Sequence, residues 1–267
     1  MLLRALALVL ASTALFLLTT GVQAQVPLPL VESGKLTWGM APTFPPYESM
    51  QDGKLVGLDV DMVAALADKL KLQSAPQTIE FKGLIPAILG NRIDIIVSGM
   101  YINDDRKQVV DFIAYQRLGN QLLVAKGNPT HVTSVDELCG RRMVVPVGTM
   151  YEKEAQAKAA ECKTAGKPEL TVMSLTSTAI GALSIKEGRA DVLMAATATD
   201  AALIHESPDA FETAGPVFEN NTLLGIGIAK QKPALRDAVD AAFKAITADG
   251  TMTALFKKYG LPADSQL

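Results

Sequence analysis

Residues 93–100 read IDIIVSGM, and this short run limits the fold more than any other stretch. Its apolar residues fall at both odd and even positions, so neither face of a strand here can meet water. A strand buried on both faces belongs to a parallel sheet with helices packed on each side. The preceding residues supply the other parts. KLTWGMA (35–41) reads as a strand, and PTFPPYESMQDGKLVG (42–57) as a loop with an Asp52-Gly53 turn. Asp59 and Asp61 then open a helix, DMVAALADKLKL, where acids suit the helix dipole. Met62, Leu66 and Leu70 recur every four residues, and Val63 widens the apolar face. TIEF (78–81) reads as a short strand, and GLIPAILGNR (83–92) as a short helix that tolerates Pro86 in its first turn. Strand, helix, strand, helix, strand is the order of an α/β layer with a mainly parallel sheet.

The order then restarts. QLLVAKG (121–127) is a strand, and Ser134-Val135-Asp136-Glu137 has the form of a capping box before a short helix. RRMVVPVGT (141–149) is a strand and MYEKEAQAKAAECKTAG (150–166) a polar helix ending at a glycine. ELTVMSL, TSTAIGALSIKEGR and ADVLMAA follow as strand, helix and strand. NTLLGIGIAK (221–230) gives a last apolar strand before two helices, the first starting at Pro233. QLLVAK and LLGIGIAK border the second unit on either side. If both run between the units, the chain crosses twice and the last helices return to the first unit, which makes a hinged cleft.

The N-terminus has the form of a secretory signal peptide over residues 1–24: Arg4, an apolar run from Ala5 to Leu18, and the small-residue cleavage site Val22-Gln23-Ala24. No cysteine follows that site to take a lipid, and the apolar run is short for a membrane span. The mature chain is therefore expected to begin near Gln25 and to lie outside the cytoplasm. The chain is 267 residues long, enough for two modest domains. Its net charge of −3 gives no electrostatic case for nucleic acid or an anionic membrane surface. An exported chain meets an oxidising compartment, which favours a Cys139–Cys162 disulfide over two buried free thiols. Two cysteines without a nearby histidine make a poor zinc shell, and His131 and His205 lie far apart. Neither a phosphate-cradling loop nor a dinucleotide fingerprint occurs, so no metal or other cofactor is expected.

Several markers occur in a telling order: PTFPPY, GKLVGLDVDM, GLIPAILGNRIDIIVSGM running into DDRKQVVDF, then VGTM, EGRADVLMA and ADGTMTALFKKYGL. In these the chain resembles the bacterial extracellular solute-binding proteins of the polar amino-acid class, the receptors of ABC importers. The resemblance covers about residues 34–261 and implies a two-lobed α/β fold of the type II periplasmic-binding-protein kind, joined by two hinge strands. Lobe 1 would comprise residues 34–122 plus 225–267, and lobe 2 residues 123–224. A small carboxylate-bearing ligand, a membrane permease as partner and a monomeric state are implied with it.

The resemblance also implies a carboxylate pocket in which Arg106 is the anchor, since a planar guanidinium meets a carboxylate with two parallel hydrogen bonds. Ser98, Gly99 and Tyr101 hold neighbouring positions. Tyr101 stands where relatives carry Ser or Thr, so either the pocket is reshaped or only the Tyr101 backbone N–H is used. Phe44 and Phe81 match positions that sandwich a ligand side chain. Gly148, Thr149 and Met150 match a loop whose backbone N–H groups reach the carboxylate, and Tyr151 follows at the pocket edge. Two departures stand out. Relatives place acids for the ligand ammonium where this chain has Ala41 and, by the register used, Ala196; Asp200 lies four residues on, close enough to serve instead. An ammonium left without an anion in a closed cleft is costly. The expected ligand is an amino acid or amino-acid derivative, with forms lacking a free α-ammonium best suited. The alternative function is a cyclohexadienyl-dehydratase-like enzyme, which would need a positioned acid or base that these positions do not supply. A receptor sensing domain ranks third, since it would require a later membrane span.

Overall fold

The computed structural model describes residues 27–267. The expected signal peptide lies outside them. Strand β1 (Lys35–Met40) leads through a small three-stranded meander, β2 (Thr43–Phe44), β3 (Glu48–Gln51) and β4 (Lys54–Val56), into helix α1 (Leu58–Leu70). Then come β5 (Gln73–Thr78), α2 (Leu84–Leu89), β6 (Ile95–Ile96) and the single turn α3 (Asp104–Lys107). The long strand β7 (Val110–Ala125) carries the chain onward. The second unit follows as β8 (Arg142–Pro146), α4 (Met150–Thr164), β9 (Thr171–Leu175), α5 (Thr178–Lys186), β10 (Val192–Ala196) and α6 (Thr197–Glu206). The equally long β11 (Phe211–Ala229) returns to α7 (Pro233–Ala248) and α8 (Thr251–Lys258).

The main strands order as β5-β1-β6-β11-β7-β10-β8-β9. The first unit's strands lie on one side and the second unit's on the other. β7 and β11, antiparallel from Phe211↔Ala125 to Ala229↔Val110, run between them. The pairing slips at Ala214/Phe218 and Phe218/Thr222, in mid-crossing, where bulges bend a strand pair. Both crossing strands therefore exist as the sequence implied, but each extends far beyond its apolar motif. Helices α7 and α8 pack on α1, which brings the C-terminal segment back to the first unit.

The IDIIVSGM run is buried on both faces. Ile95 and Val97 join the core shared with Trp38, Leu66 and Val239, while Ile93 and Ile96 pack with Leu84 and Ile88 on the opposite side. Its one acid, Asp94, is fully buried and satisfied: it accepts from the Thr37 hydroxyl at 2.6 Å and the Thr37 amide at 3.0 Å, and pairs with Lys232 at 3.2 Å.

Four local expectations differ, the first being that residues 42–57, expected as a loop, form the β2–β4 meander. TIEF is not a strand; the strand is QSAPQT just before it, and Phe81 begins a single 3-10 turn. Pro76 hid that strand, yet β5 is a sheet edge, where a missing N–H is tolerated. The capping box at Ser134 does not form; Thr133 instead donates its amide (2.7 Å) and hydroxyl (3.0 Å) to Glu137. Helix α6, which follows β10 directly, was not expected at all. The Cys139–Cys162 disulfide is present, tying the loop before β8 to the last turn of α4 with a Cα–Cα distance of 5.6 Å.

Candidate functional site

The pocket lies where the two units face each other. From the first unit it takes Ala41 after β1, Phe44 on β2, Phe81, and the Ser98–Gly99–Tyr101 turn that leads to Arg106 on α3. From the second it takes Pro146 at the end of β8, Val147 after it, and Thr149, Met150 and Tyr151 at the start of α4. Ten of the twelve ligand-site residues expected from the sequence thus come together; Gly148 is not part of the lining. Nor is Ala196, which ends β10 fully buried.

Arg106 is held by its own segment. Asn103 caps the α3 turn, its Oδ1 accepting the Arg106 amide at 2.9 Å. The guanidinium Nη1 donates to the Tyr101 carbonyl at 2.7 Å, and Nη2 donates to the Gly148 carbonyl of the other unit at 3.3 Å. The guanidinium carbon sits 5.5 Å from the Phe81 ring centroid, a cation–π contact. Phe81 therefore braces the arginine. Arg106 is only 9% exposed, and burial pulls its pKa down to about 10, still protonated at neutral pH. Two of its five N–H groups are used, both on neutral carbonyls, and among the described residues no carboxylate pairs with it. A buried cation without a counter-ion is costly, so this arrangement favours an anion in the pocket.

Ser98 is tied into the floor. Its hydroxyl accepts the Ala41 amide at 3.0 Å and donates to Glu48 Oε1 at 2.8 Å. Gly99 has φ +49°, and a Cβ built on it would lie 2.4 Å from the Phe44 ring; only glycine admits that ring, which stacks on Tyr47 with centroids 4.9 Å apart. The Gly99 amide donates to Asp59 Oδ2 at 2.8 Å. Across the cleft, the Gly148 amide is taken by Glu152 at 2.7 Å and the Thr149 amide by the Pro146 carbonyl at 3.4 Å. Two of the three loop N–H groups expected to reach a carboxylate, those of Gly148 and Thr149, are thus engaged inside the protein.

Several pocket residues were not foreseen. Glu48, 1% exposed, lies beneath Ala41 and against Asp59. Burial first, and then the Asp59 charge, push Glu48 well above the usual carboxylate range, and burial raises Asp59 to about 6. Glu48 Oε1 accepts the Ser98 hydroxyl, and its other oxygen, Oε2, has no hydrogen-bond partner among the described residues. The signal was present in the sequence, an acid directly after PPY, but no local pattern says that the meander turns it inward. Thr43, Thr176 and Thr178 also line the pocket, while Glu80 lies at its mouth, exposed and 3.4 Å from Lys82. Asp200 is fully buried with both carboxylate oxygens unpartnered, and burial raises it to about 8; it does not line the pocket.

A two-lobed α/β body with two crossing strands and a cleft between its lobes that holds a buried arginine has the architecture of the periplasmic binding proteins. The model of the bacterial extracellular solute-binding proteins, family 3, matches residues 36–262, and the chain belongs to that family. An arginine-binding protein, ArgT, of Corynebacterium glutamicum is 31% identical over 199 residues, 74% of this chain and 65% of its own length. The chain thus matches just under two thirds of that relative. The L-cystine-binding protein TcyJ of Escherichia coli K12 is 27% identical over 232 residues, 85% of this chain and 83% of the relative. Among solved structures, an ancestral arginine-binding protein bound to arginine superposes with a TM-score of 0.78 at 29% identity, covering 85% of this chain and 98% of that one.

Proposed function

We propose that this chain is the periplasmic solute-binding component of an ABC importer. It holds a small carboxylate-bearing solute between lobe 1 (34–122 plus 225–267) and lobe 2 (123–224), and delivers it as a monomer to a membrane permease. The observation that carries the reading is the buried Arg106 guanidinium, which has free N–H groups at the pocket and no counter-ion among the described residues. The curated relatives are named as binding proteins, which supports a binding component over the dehydratase-like enzyme. The chain has no helix among its described residues long and apolar enough to cross a membrane.

The solute is an amino-acid relative whose α-nitrogen carries no charge. Ala41 supplies no anion, Ala196 lies outside the pocket, burial and the Asp59 charge disfavour the ionised form of Glu48, and Glu80 sits at the open mouth beside Lys82. An ammonium entering here would be desolvated without a buried partner. Calorimetry on a panel of L-amino acids and their N-acetyl and 2-oxo counterparts tests this. The counterparts should bind at least about tenfold more tightly than the parents, and Arg106→Ala should abolish binding. Tighter binding of a parent amino acid overturns the uncharged-nitrogen reading. Unchanged binding in Arg106→Ala overturns the carboxylate anchor.

A further inference from the structure

Tyr101 stands where a small hydroxyl residue was expected, and its phenol does not turn to the pocket's arginine. It meets three groups from different parts of the fold. The Tyr101 hydroxyl donates to Asn120 Oδ1 at 2.9 Å and is hydrogen-bonded to the hydroxyl of Tyr151. The Tyr151 hydroxyl also lies 3.2 Å from Asn120 Oδ1. The two rings meet edge to face, with centroids 5.5 Å apart and planes at 73°. Tyr101 precedes α3 and bridges to Leu224 of β11, while Tyr151 lies in the first turn of α4 in the other unit. Asn120 sits on the crossing strand β7, opposite Ala196 of β10 and Phe218 of β11, beside the register slips.

The proton count closes. Asn120 Nδ2 donates to Glu219 Oε2 at 2.8 Å, which turns Oδ1 toward the phenols. One phenol proton goes to Oδ1 and the other to the neighbouring phenol oxygen, so neither is left over. Tyr101, Tyr151 and Asn120 are 6%, 4% and 1% exposed. Burial pushes both phenols well above their ordinary range, so both remain neutral donors. The ion pair across the rim, Lys153–Asp105 at 2.6 Å, is about two-thirds exposed at both ends and screened by water, so it does little to hold the cleft shut.

We propose that Tyr101, Tyr151 and Asn120 form a latch that holds the two lobes together from the hinge side of the cleft, and that the Tyr101 hydroxyl serves closure and does not contact the solute. Parting the lobes separates the phenols, exchanging a dry hydrogen bond for water. Asn120 is a positioning residue: fixed on the hinge strand, it sets where the phenols meet. The inference rests on the reading of the cleft as a solute site that closes, but its readouts need no solute, so the two can fail separately.

The test is small-angle X-ray scattering on the solute-free protein, comparing wild type with Tyr101→Phe, Tyr151→Phe and the double variant. Phenylalanine keeps the rings, and circular dichroism confirms that each variant is folded. Each single change should lower the closed-to-open ratio about fivefold, the worth of one net hydrogen bond. The double variant should lose at least as much as either single, because after Tyr101→Phe the Tyr151 hydroxyl, 3.2 Å from Asn120 Oδ1, can still bond across the lobes. Asn120→Ala should shift the ratio in the same direction. Scattering identical in wild type and double variant overturns the latch, and so does a double variant that is more closed than either single.

Discussion

Arg106 Nη1 donates to the backbone carbonyl of Tyr101, five residues before it, at 2.7 Å. The guanidinium is thereby locked to the turn that forms the pocket floor, and its remaining N–H groups keep a fixed direction. Lysine carries the charge but not the fork. Arg106→Lys should therefore weaken binding of a carboxylate solute by about tenfold or more, the worth of one charge-assisted hydrogen bond. It should leave the melting temperature nearly unchanged. Titration calorimetry beside a thermal melt checks both.

Gly99 has φ +49° and lies under the Phe44 ring. Gly99→Ala adds a methyl group 2.4 Å from that ring on a backbone that disfavours a Cβ. A loss of about 2–4 kcal/mol in stability is expected from strain plus overpacking. Urea unfolding measures it. Gly34→Ala is the control: its φ is +78° but nothing lies within 4 Å of its Cβ, so only the backbone part, about 1 kcal/mol, should be lost.

The Cys139–Cys162 bond closes a loop of 23 residues' separation. Loop-closure entropy gives about 3 kcal/mol of stabilisation for such a loop. Replacing both cysteines with serine should lower the unfolding free energy by about that amount. Adding a reducing agent to the wild type should reproduce the loss, and the variant should no longer respond to reductant.

Asp200 is buried without hydrogen-bond partners and titrates near 8, against an ordinary carboxylate value of about 3.9. Between these values the folded protein holds a proton that the unfolded chain releases, so stability falls as pH rises from about 4 to about 8 and levels off above. Each pH unit in that window costs at most about 1.4 kcal/mol. Asp200→Asn removes this slope. The variant should be more stable than wild type at pH 8, with the gain shrinking toward pH 4, as denaturant melts across the range will show.

The order of elements could be read locally because it follows from periodicity. IDIIVSGM announces burial on both faces, and Met62, Leu66 and Leu70 mark a helix face wherever the chain lies. Strand β5 escaped because Pro76 reads as a breaker until the strand is seen at the sheet edge. Helix α6 escaped because TATDAALIHE has almost no amphipathic pattern and its acid is buried. The long crossing strands were seen only in part: VDFIAYQRL and FETAGPVFENN mix polar and apolar residues, and they become strands by pairing with each other.

Composition and local pattern alone settled that this chain is an α/β protein, and the order of its motifs placed Arg106 in a cleft. Only the tertiary structure decided that Glu48 turns inward against Asp59, that Ala196 stays out of the pocket, and that Tyr101 reaches across to Tyr151 and Asn120. The reason is physical. Periodicity reports which face of an element is dry, and that is a property of a few neighbouring residues. A carboxyl's proton or a phenol's partner depends on groups brought together from distant segments, and no short window of sequence contains both ends of such a contact.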